Sequence, residues 1–331
     1  MQPHICLGIE STADNLGIGI ASSDGAILAN EITTHVPEEG GIHPREAARH
    51  HADTMGETMS QALSKAGIKA KDITLIAFSQ GPGLGPCLRT GATAARAMAS
   101  YLRVPLVGVN HCVAHIEIGR LATGAEDPLT LYVSGGNTIV TGYEAGRYRV
   151  FGETLDIAVG NCLDTFAREA GLEYPGGPAV EKHALGGEAL IPLPYVVKGM
   201  DLSFSGLLTS VSLALHSGEH RLEDLCYSVQ EVAYGMLGEV TERALAHTGK
   251  KELLLTGGVG ANKRLRSIIG CIAEEHGASA RYVPIGYATD NGAMIAWTGI
   301  VAHSHGVRTP ISESHIDSRW RLDEVEVPWR V

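Results

Sequence analysis

Apolar and polar residues alternate in two separate stretches of the chain, and each stretch predicts a meander of three β-strands. Short turns rich in Ser, Asp and Gly separate the alternating segments. The predicted strands cover residues 5–10, 17–21 and 26–33 in the first meander and 129–134, 138–143 and 147–152 in the second. Because the two patterns align at an offset of about 120 residues, the sequence predicts an internal duplication.

Helical periodicity and short apolar runs follow each meander. The predicted helices cover residues 50–66, 90–102, 110–121, 222–248, 263–275 and 291–302. The predicted single strands cover residues 73–79, 105–109 and 253–256. This order favours an α/β fold built from a duplicated βββαβα unit on mixed sheets. An unrelated α/β protein with two hairpin meanders is the alternative interpretation.

Length and composition indicate how many domains to expect and argue against several classes of protein. A chain of 331 residues is long enough for two domains, at roughly 100–200 residues each. The six cysteines include no Cys-x-x-Cys pair, which argues against a zinc ribbon or a disulfide framework. The first residues lack a basic segment followed by an apolar run, and no apolar run approaches the roughly 18 residues of a membrane span. We therefore expect a cytoplasmic protein with no membrane partner.

Three glycine- or hydroxyl-rich turns follow predicted strands, at residues 10–15, 134–138 and 256–262. Glycine lets backbone N–H groups approach an oxyanion, and a following helix N-terminus adds a favourable dipole. The turns could therefore contact the phosphates and sugar of a nucleotide, although ordinary turns of an α/β protein have the same composition. Neither the P-loop spacing nor the Rossmann spacing is present.

Two histidines, His111 and His115, lie four residues apart in a predicted helix. Residues at i and i+4 share one helix face, so two imidazoles in this arrangement can bind one metal ion. Asn110 is a plausible N-cap for that helix. Two ordinary surface histidines are the alternative. The motif is not His-Glu-x-x-His, because Cys112 occupies the position of the glutamate base of a zinc protease.

Tyr132 and Asp290 are candidates for further metal ligands, because each ends an apolar or turn segment. Asp290 could equally be the N-cap of the helix at 291–302, and Tyr132 could equally be a packed core aromatic. The Pro-Gly-Gly-Pro turn at 175–178 lies between Asp164 and Glu181, and it allows close approach to the backbone. An ordinary loop between helices is the alternative there.

Six motifs occur together in the order that is typical of one family. They are His-Cys-Val-Ala-His at 111–115, Tyr-Val-Ser-Gly-Gly at 132–136, Tyr-Pro-Gly-Gly-Pro at 174–178, Ser-Phe-Ser-Gly at 203–206, Gly-Gly-Val-Gly-Ala-Asn at 257–262 and Ala-Thr-Asp-Asn-Gly at 288–292. The chain thereby resembles the tRNA N6-adenosine threonylcarbamoyltransferases (TsaD, the catalytic subunit of the KEOPS complex), formerly called O-sialoglycoprotein endopeptidases. The segments at 10–14 and 80–86 are similar to the archaeal and eukaryotic type, and Leu208 stands where bacterial members usually carry Lys.

The resemblance implies the ASKHA fold of actin, Hsp70 and sugar kinases, with two lobes and a nucleotide in the cleft between them. The lobes are expected at 1–126, completed by 297–331, and at 127–296, which includes a substrate-site insertion. The family's nucleotide is ATP, AMP or the threonylcarbamoyl adenylate. We expect one of these to bind here.

The resemblance also implies the site residues. One metal ion per subunit, iron in preference to zinc, would be bound by His111, His115, Tyr132 and Asp290. The residues expected to contact substrate or nucleotide are Tyr132, Val133, Ser134, Gly135, Gly136, Asp164, Gly177, Glu181 and Asn262. No catalytic residue beyond the metal centre is implied, and Glu10 and Asp14 are open candidates for a general base.

The implied reaction transfers the threonylcarbamoyl group from threonylcarbamoyl-AMP to the exocyclic amine of the adenosine beside the anticodon. The tRNAs concerned read codons that begin with A. The expected partners are KEOPS subunits, including a small kinase or ATPase and a small dimerising subunit. The net charge of −11 argues against wrapping nucleic acid alone, so tRNA is expected to bind chiefly through the complex. The alternatives are a metal-dependent protease, an ATP-dependent small-molecule kinase of the same fold and an actin-like structural protein.

Overall fold

The computed structural model describes residues 4–36 and 41–330, which form two compact units. Unit 1 comprises Met1–Ala122, Glu144–Tyr148 and Asp290–Val331. Unit 2 comprises Thr123–Tyr143 and Arg149–Thr289. The domain division at 126 and 297 stays a prediction, because two compact units are not by themselves independently folding domains.

Unit 1 is built on a five-stranded mixed sheet. Its elements are β1 Ile5–Glu10, β2 Asn15–Ser22, β3 Ile27–Thr34, α1 Pro44–Ala66, β4 Leu75–Gly81, α2 Gly85–Leu102, β5 Leu106–Asn110 and α3 His111–Thr123. The strand order is β3-β2-β1-β4-β5. The meander strands β1, β2 and β3 pair antiparallel, and β4 and β5 continue the sheet in parallel from β1.

Unit 2 contains a second five-stranded sheet and most of the remaining helices. The elements after α3 are β6 Leu129–Val133, β7 Thr138–Glu144, β8 Arg147–Glu153, α4 Val159–Glu169, α5 Gly176–Ala184, β9 Val197–Lys198, β10 Asp201–Leu202, α6 Ser205–Ser217, α7 Leu222–Thr248, β11 Glu252–Thr256, α8 Lys263–Glu275, β12 Ser279–Tyr282 and α9 Ile285–Ala288. The sheet order is β12-β11-β6-β7-β8, which repeats the order of unit 1 when it is written from β8.

The predicted α/β fold and its duplication are confirmed, and each repeat continues one strand beyond the predicted βββαβα, with β5 in unit 1 and β12 in unit 2. Two helices begin earlier than the periodicity indicated. Helix α1 begins at Pro44 and α2 has Pro86 in its first turn, where a missing N–H leaves no bond unmade. Helices α4, α5 and α6 follow β8 and were not predicted. Within the described residues, none of the helices combines the length and hydropathy that a membrane span requires.

Helix α10, Gly292–Ser304, follows unit 2 in the sequence and packs against the meander of unit 1. Three strand glycines make this close approach possible. A Cβ atom at Gly8, Gly17 or Gly19 would overlap backbone atoms of α10 or of the residue just before it. The first turn of α10 is therefore fixed against the sheet together with Asn291, which precedes the helix, and this holds Asp290, the residue before Asn291, in place.

Candidate functional site

The histidine pair lies in the first turns of α3, directly after β5. Asn110 ends β5 and its Oδ1 accepts hydrogen bonds from the backbone N–H groups of Cys112 and Val113, at 3.0 and 3.2 Å. The predicted N-cap is confirmed, and it fixes the direction in which α3 leaves the sheet. The imidazoles of His111 and His115 are buried, with ring centroids 4.7 Å apart.

Asp290 completes a cluster with these two imidazoles. Its Oδ1 lies 3.1 Å from Nε2 of His115 and 3.5 Å from Nε2 of His111. The N-cap of α10 is Asn291, whose Oδ1 accepts from the N–H of Met294, so the capping role considered for Asp290 is filled by its neighbour. The carboxylate of Asp290 is thus directed to the histidines.

The geometry of the cluster fits a transition-metal ion. The three donor atoms all lie within 4.8 Å of one another. Two ligands at about 2.0–2.1 Å from a tetrahedral ion stand about 3.3 Å apart, which agrees with both carboxylate–imidazole separations. Two neutral nitrogens and one carboxylate oxygen also form a donor set that suits iron or zinc better than magnesium.

A second carboxylate orients one of the imidazoles. Glu10 is the last residue of β1 and is fully buried, and its Oε2 lies 3.1 Å from Nδ1 of His111. Its Oε1 accepts from the backbone N–H of Thr12 at 2.7 Å. Because the carboxylate can only accept, Nδ1 of His111 carries a proton, and loss of the second proton, at Nε2, leaves a lone pair for a metal ion, the arrangement of a metal-binding histidine.

The carboxylates and imidazoles of the cluster shift one another's pKa values. Burial lowers the pKa of His111, but the carboxylates of Glu10 and Asp290 outweigh burial and raise it to about 9. Burial raises the pKa of Asp290, but the two imidazoles outweigh burial and lower it to about 2. Burial lowers the pKa of His115, although Asp290 opposes that effect. A bound cation would replace the proton that His111 retains.

Another buried carboxylate, Glu117, lies further along α3. Its Oε1 accepts from the hydroxyl of Tyr148 at 2.7 Å and from Nε1 of Trp329 at 3.0 Å. Its Oε2 accepts from Nη1 of Arg120 at 2.7 Å. These charge-assisted bonds tie α3 to the rest of unit 1 and restrict movement of the histidine pair.

The remaining predicted ligand, Tyr132, lies in unit 2. It is buried near the end of β6, and its hydroxyl accepts from Nδ2 of Asn137 at 3.3 Å. Its place in the ligand set stays a prediction. Val133 ends β6, and the turn that follows is closed by the N–H of Ser134 donating to the carbonyl of Asn137.

The two glycines at the tip of this turn, Gly135 and Gly136, are exposed, and a Cβ at either would meet no atom within 4 Å. Helix α4 begins beside the turn, because a Cβ at Gly160 would overlap the carbonyl of Ser134. The turn thus offers accessible backbone close to a helix N-terminus, which is the local geometry expected of an oxyanion site.

The other predicted substrate residues have structural partners within unit 2. Oδ1 of Asp164 accepts from the N–H groups of Gly176 and Gly177, at 2.8 and 3.3 Å, where α5 begins. Burial raises the pKa of Asp164 although both bonds oppose it. Oε1 of Glu181 accepts from the N–H of Lys263, and Asn262 is the N-cap of α8. Their role in binding substrate stays a prediction.

Sequence reasoning identified three members of the cluster and missed how Glu10 acts. Glu10 was an open candidate for a general base, whereas its oxygens contact His111 and the Thr12 backbone. The position of Glu10 could have indicated this role, because the last residue of the central strand β1 lies at the edge of the sheet where α3 begins. The roles of Thr12 and Glu117 had no comparable signal, because they depend on segments that are distant in sequence.

Comparisons with known proteins agree with this architecture. A family model described as TsaD, tRNA N6-adenosine threonylcarbamoyltransferase, matches residues 26–297. The tRNA N6-adenosine threonylcarbamoyltransferase of Thermofilum pendens is 58% identical over 324 residues, covering 98% of this chain and 96% of that protein. The protein of the same name from Methanopyrus kandleri is 55% identical over 335 residues, with 98% and 96% covered.

Among solved structures, the crystal structure of HypF from T. kodakarensis superimposes with a TM-score of 0.63 at 16% identity. The match covers 91% of this chain and 48% of that one, and at this identity it shows the fold alone. The predicted ASKHA fold is confirmed. The chain therefore belongs to the tRNA N6-adenosine threonylcarbamoyltransferase family and is a transferase.

Proposed function

We propose that this chain transfers the threonylcarbamoyl group of threonylcarbamoyl-AMP to the exocyclic amine of the adenosine beside the anticodon, in tRNAs that read codons beginning with A. The proposed setting is the cytoplasm, in a KEOPS complex with a small kinase or ATPase and a small dimerising subunit. The observation that carries the proposal is the cluster of two buried histidines, His111 and His115, with the half-buried Asp290, in a chain of this family.

The proposed transfer is a substitution at the carbamoyl carbon. The bond from the adenine nitrogen to this carbon forms, the bond from the carbon to the phosphate oxygen breaks, and the amine loses one proton. AMP leaves with the electron pair, so no protein nucleophile is required. Positioning of the two substrates therefore supplies much of the rate.

The metal ion in this proposal is iron in preference to zinc, held by His111, His115, Asp290 and Tyr132. When bound, such an ion acts as a Lewis acid toward a phosphoryl or carbonyl oxygen. The protein's own contribution is orientation. Glu10 holds His111 in the tautomer that directs Nε2 to Asp290. Since both oxygens of Glu10 accept hydrogen bonds and the residue is fully buried, we assign it to orientation rather than to proton transfer.

Unit 2 is proposed to bind the adenylate. The exposed backbone of Gly135 and Gly136, beside the start of α4, suits the phosphate and threonylcarbamoyl oxygens. The nucleotide's sugar and base are proposed to contact the starts of α5 and α8, which are fixed by Asp164, Glu181 and Asn262. The acidic net charge suits a subunit whose partners supply basic surface for tRNA.

The experiment is reconstitution of the full chain with the partner subunits, threonylcarbamoyl-AMP and an unmodified tRNA, followed by mass spectrometry of the nucleosides. The wild-type chain should form threonylcarbamoyladenosine, and His111→Ala should lose the metal and most of the product. His220→Ala removes an exposed histidine of unit 2 and serves as the matched control, with unchanged product. Full product from His111→Ala would contradict the metal assignment, and no product from the wild-type chain would contradict the transfer.

A further inference from the structure

We propose that His51, on α1, is a positioning residue for the metal centre, acting through the loop of residues 11–14. The inference rests on the proposed metal site and adds a residue that contacts none of its ligands. It concerns unit 1 alone, in which His51, the loop and the three candidate ligands all lie.

His51 is fully buried, and its Nε2 lies 3.0 Å from the carbonyl oxygen of Ala13. A carbonyl can only accept, so Nε2 carries the proton and donates it to Ala13. Burial lowers the pKa of His51 to about 4, which leaves the imidazole neutral at pH 7 with one N–H to donate. Within the described ranges, its Nδ1 has no hydrogen-bond partner. The side chain therefore makes its hydrogen bond through Nε2, to Ala13.

The residue before Ala13 connects the loop to the metal centre. The N–H of Thr12 donates to Oε1 of Glu10 at 2.7 Å, and Oε2 of the same carboxylate contacts Nδ1 of His111. The hydroxyl of Thr12 lies 3.4 Å from that Nδ1, and its side chain also hydrogen-bonds to Asp290. A shift of the loop would therefore move the partners of two candidate ligands together.

Other contacts hold the loop through its backbone. The N–H of Leu84 donates to the carbonyl of Thr12 at 2.7 Å, and the N–H of His35 donates to the carbonyl of Asp14 at 2.9 Å. Between these two points, the bond at Ala13 comes from the His51 side chain. A substitution at position 51 therefore loosens the middle of the loop and leaves the backbone bonds on either side intact.

Two substitutions with amide side chains distinguish the effect of the hydrogen bond to Ala13 from the effect of having a polar side chain at position 51. His51→Gln places an amide N–H near the position of Nε2, whereas the shorter side chain of His51→Asn does not reach Ala13. Binding of Co²⁺ to the metal-free full chain, measured by competition with a chelator and by the visible absorption of the bound ion, reports the site directly. Loss of an outer-shell partner weakens metal binding by roughly 10–100-fold, and His51 is one step more distant, so we expect His51→Asn to bind about fivefold to tenfold more weakly. His51→Gln should remain within about twofold of the wild type.

His50→Asn, at the neighbouring half-buried histidine, is the matched control and should bind Co²⁺ as the wild type does. Should His51→Asn not fold, His51→Phe replaces it in the same comparison, because it keeps the ring and removes the donor. Wild-type affinity in the donor-free variant, or equal weakening in His51→Gln, overturns the inference. Wild-type Co²⁺ binding that persists in His115→Ala instead overturns the metal site itself, and the inference with it.

Discussion

The two sheets of this protein have the same strand order, yet the side chains at their edges serve different purposes. In unit 1, carboxylates lie against imidazoles. Glu10 ends β1, His111 and His115 lie at the start of α3, and Asp290 precedes the N-cap of α10. In unit 2, Asp164 and Glu181 accept backbone N–H groups where α5 and α8 begin. The same topology therefore occurs twice, and the local side chains decide which copy carries a donor set that fits a cation.

The difference has a physical consequence for each unit. The buried imidazole of His111 faces two carboxylates and retains a proton that a metal ion can displace, so the cluster of unit 1 can exchange a proton for a cation. The carboxylates of unit 2 accept hydrogen bonds from backbone N–H groups at helix starts and so contribute to stability. The accessible backbone of unit 2 lies elsewhere, in the turn at 134–137. Substitutions of the cluster residues in unit 1 should mainly affect metal binding, and those at the helix caps of unit 2 should mainly affect folding.

The largest effect is expected from Gly19→Ala. The added Cβ overlaps backbone atoms of Gly292 and Ala293, neither of which can move aside as a side chain can. We expect a loss of about 3 kcal/mol of stability, and weaker metal binding because Asp290 moves with α10. Thermal unfolding and Co²⁺ titration measure the two effects.

The matched control is Gly206→Ala in unit 2, where a Cβ meets no atom within 4 Å. It lies in the first turn of α6 and should unfold at the wild-type temperature or slightly above it. Equal behaviour of the two variants would show that the approach of α10 to β2 does not depend on glycine.

A smaller effect is expected from pH, and it should be confined to unit 1. The pKa of His111 is raised to about 9, so the imidazole is protonated at pH 7 and must lose that proton to bind a metal. Metal affinity should therefore rise about tenfold per unit between pH 7 and 8. Stability of the metal-free protein should change in the opposite direction, because a raised folded-state pKa stabilises below the unfolded value and this contribution is lost as the pH rises toward 9.

Co²⁺ titrations at several pH values test the predicted rise of metal affinity with pH, and thermal unfolding of the metal-free protein tests the predicted fall of stability. In His111→Ala the rise of unfolding temperature toward low pH should diminish. A metal affinity that does not change between pH 7 and 8 would contradict the bound proton at His111.

The smallest effect is expected from Asp164→Ala in unit 2. It removes the acceptor of two backbone N–H groups at the start of α5 and should reduce stability by about 1 kcal/mol, while Co²⁺ affinity stays unchanged. The control is Asp53→Ala, at an exposed aspartate paired with Arg49 on α1, which should change stability by only about 0.3 kcal/mol. A loss of Co²⁺ affinity in Asp164→Ala would contradict the division of roles between the units.

The sequence predicted the meanders, α7, α8 and the Asn110 cap, because period, cap chemistry and turn residues are local signals. Helices α4 to α6 were not predicted. Helix α5 is short and the periodicity of α6 is weak, whereas the strong helical periodicity of α4 was a signal that was missed. The cluster was predicted in part because His111 and His115 share a helix. Asp290 remained ambiguous from local sequence, since its direction depends on glycines of β1 and β2 that are more than 270 residues away.

The central claim is that two imidazoles and one carboxylate of unit 1 hold a single metal ion. X-ray absorption spectroscopy of the iron-loaded full chain measures this directly. We expect scattering from two imidazole rings bound through nitrogen at about 2.0–2.2 Å, and from one ring in His115→Ala. Scattering from oxygen ligands alone, or a spectrum that His115→Ala leaves unchanged, would contradict the claim.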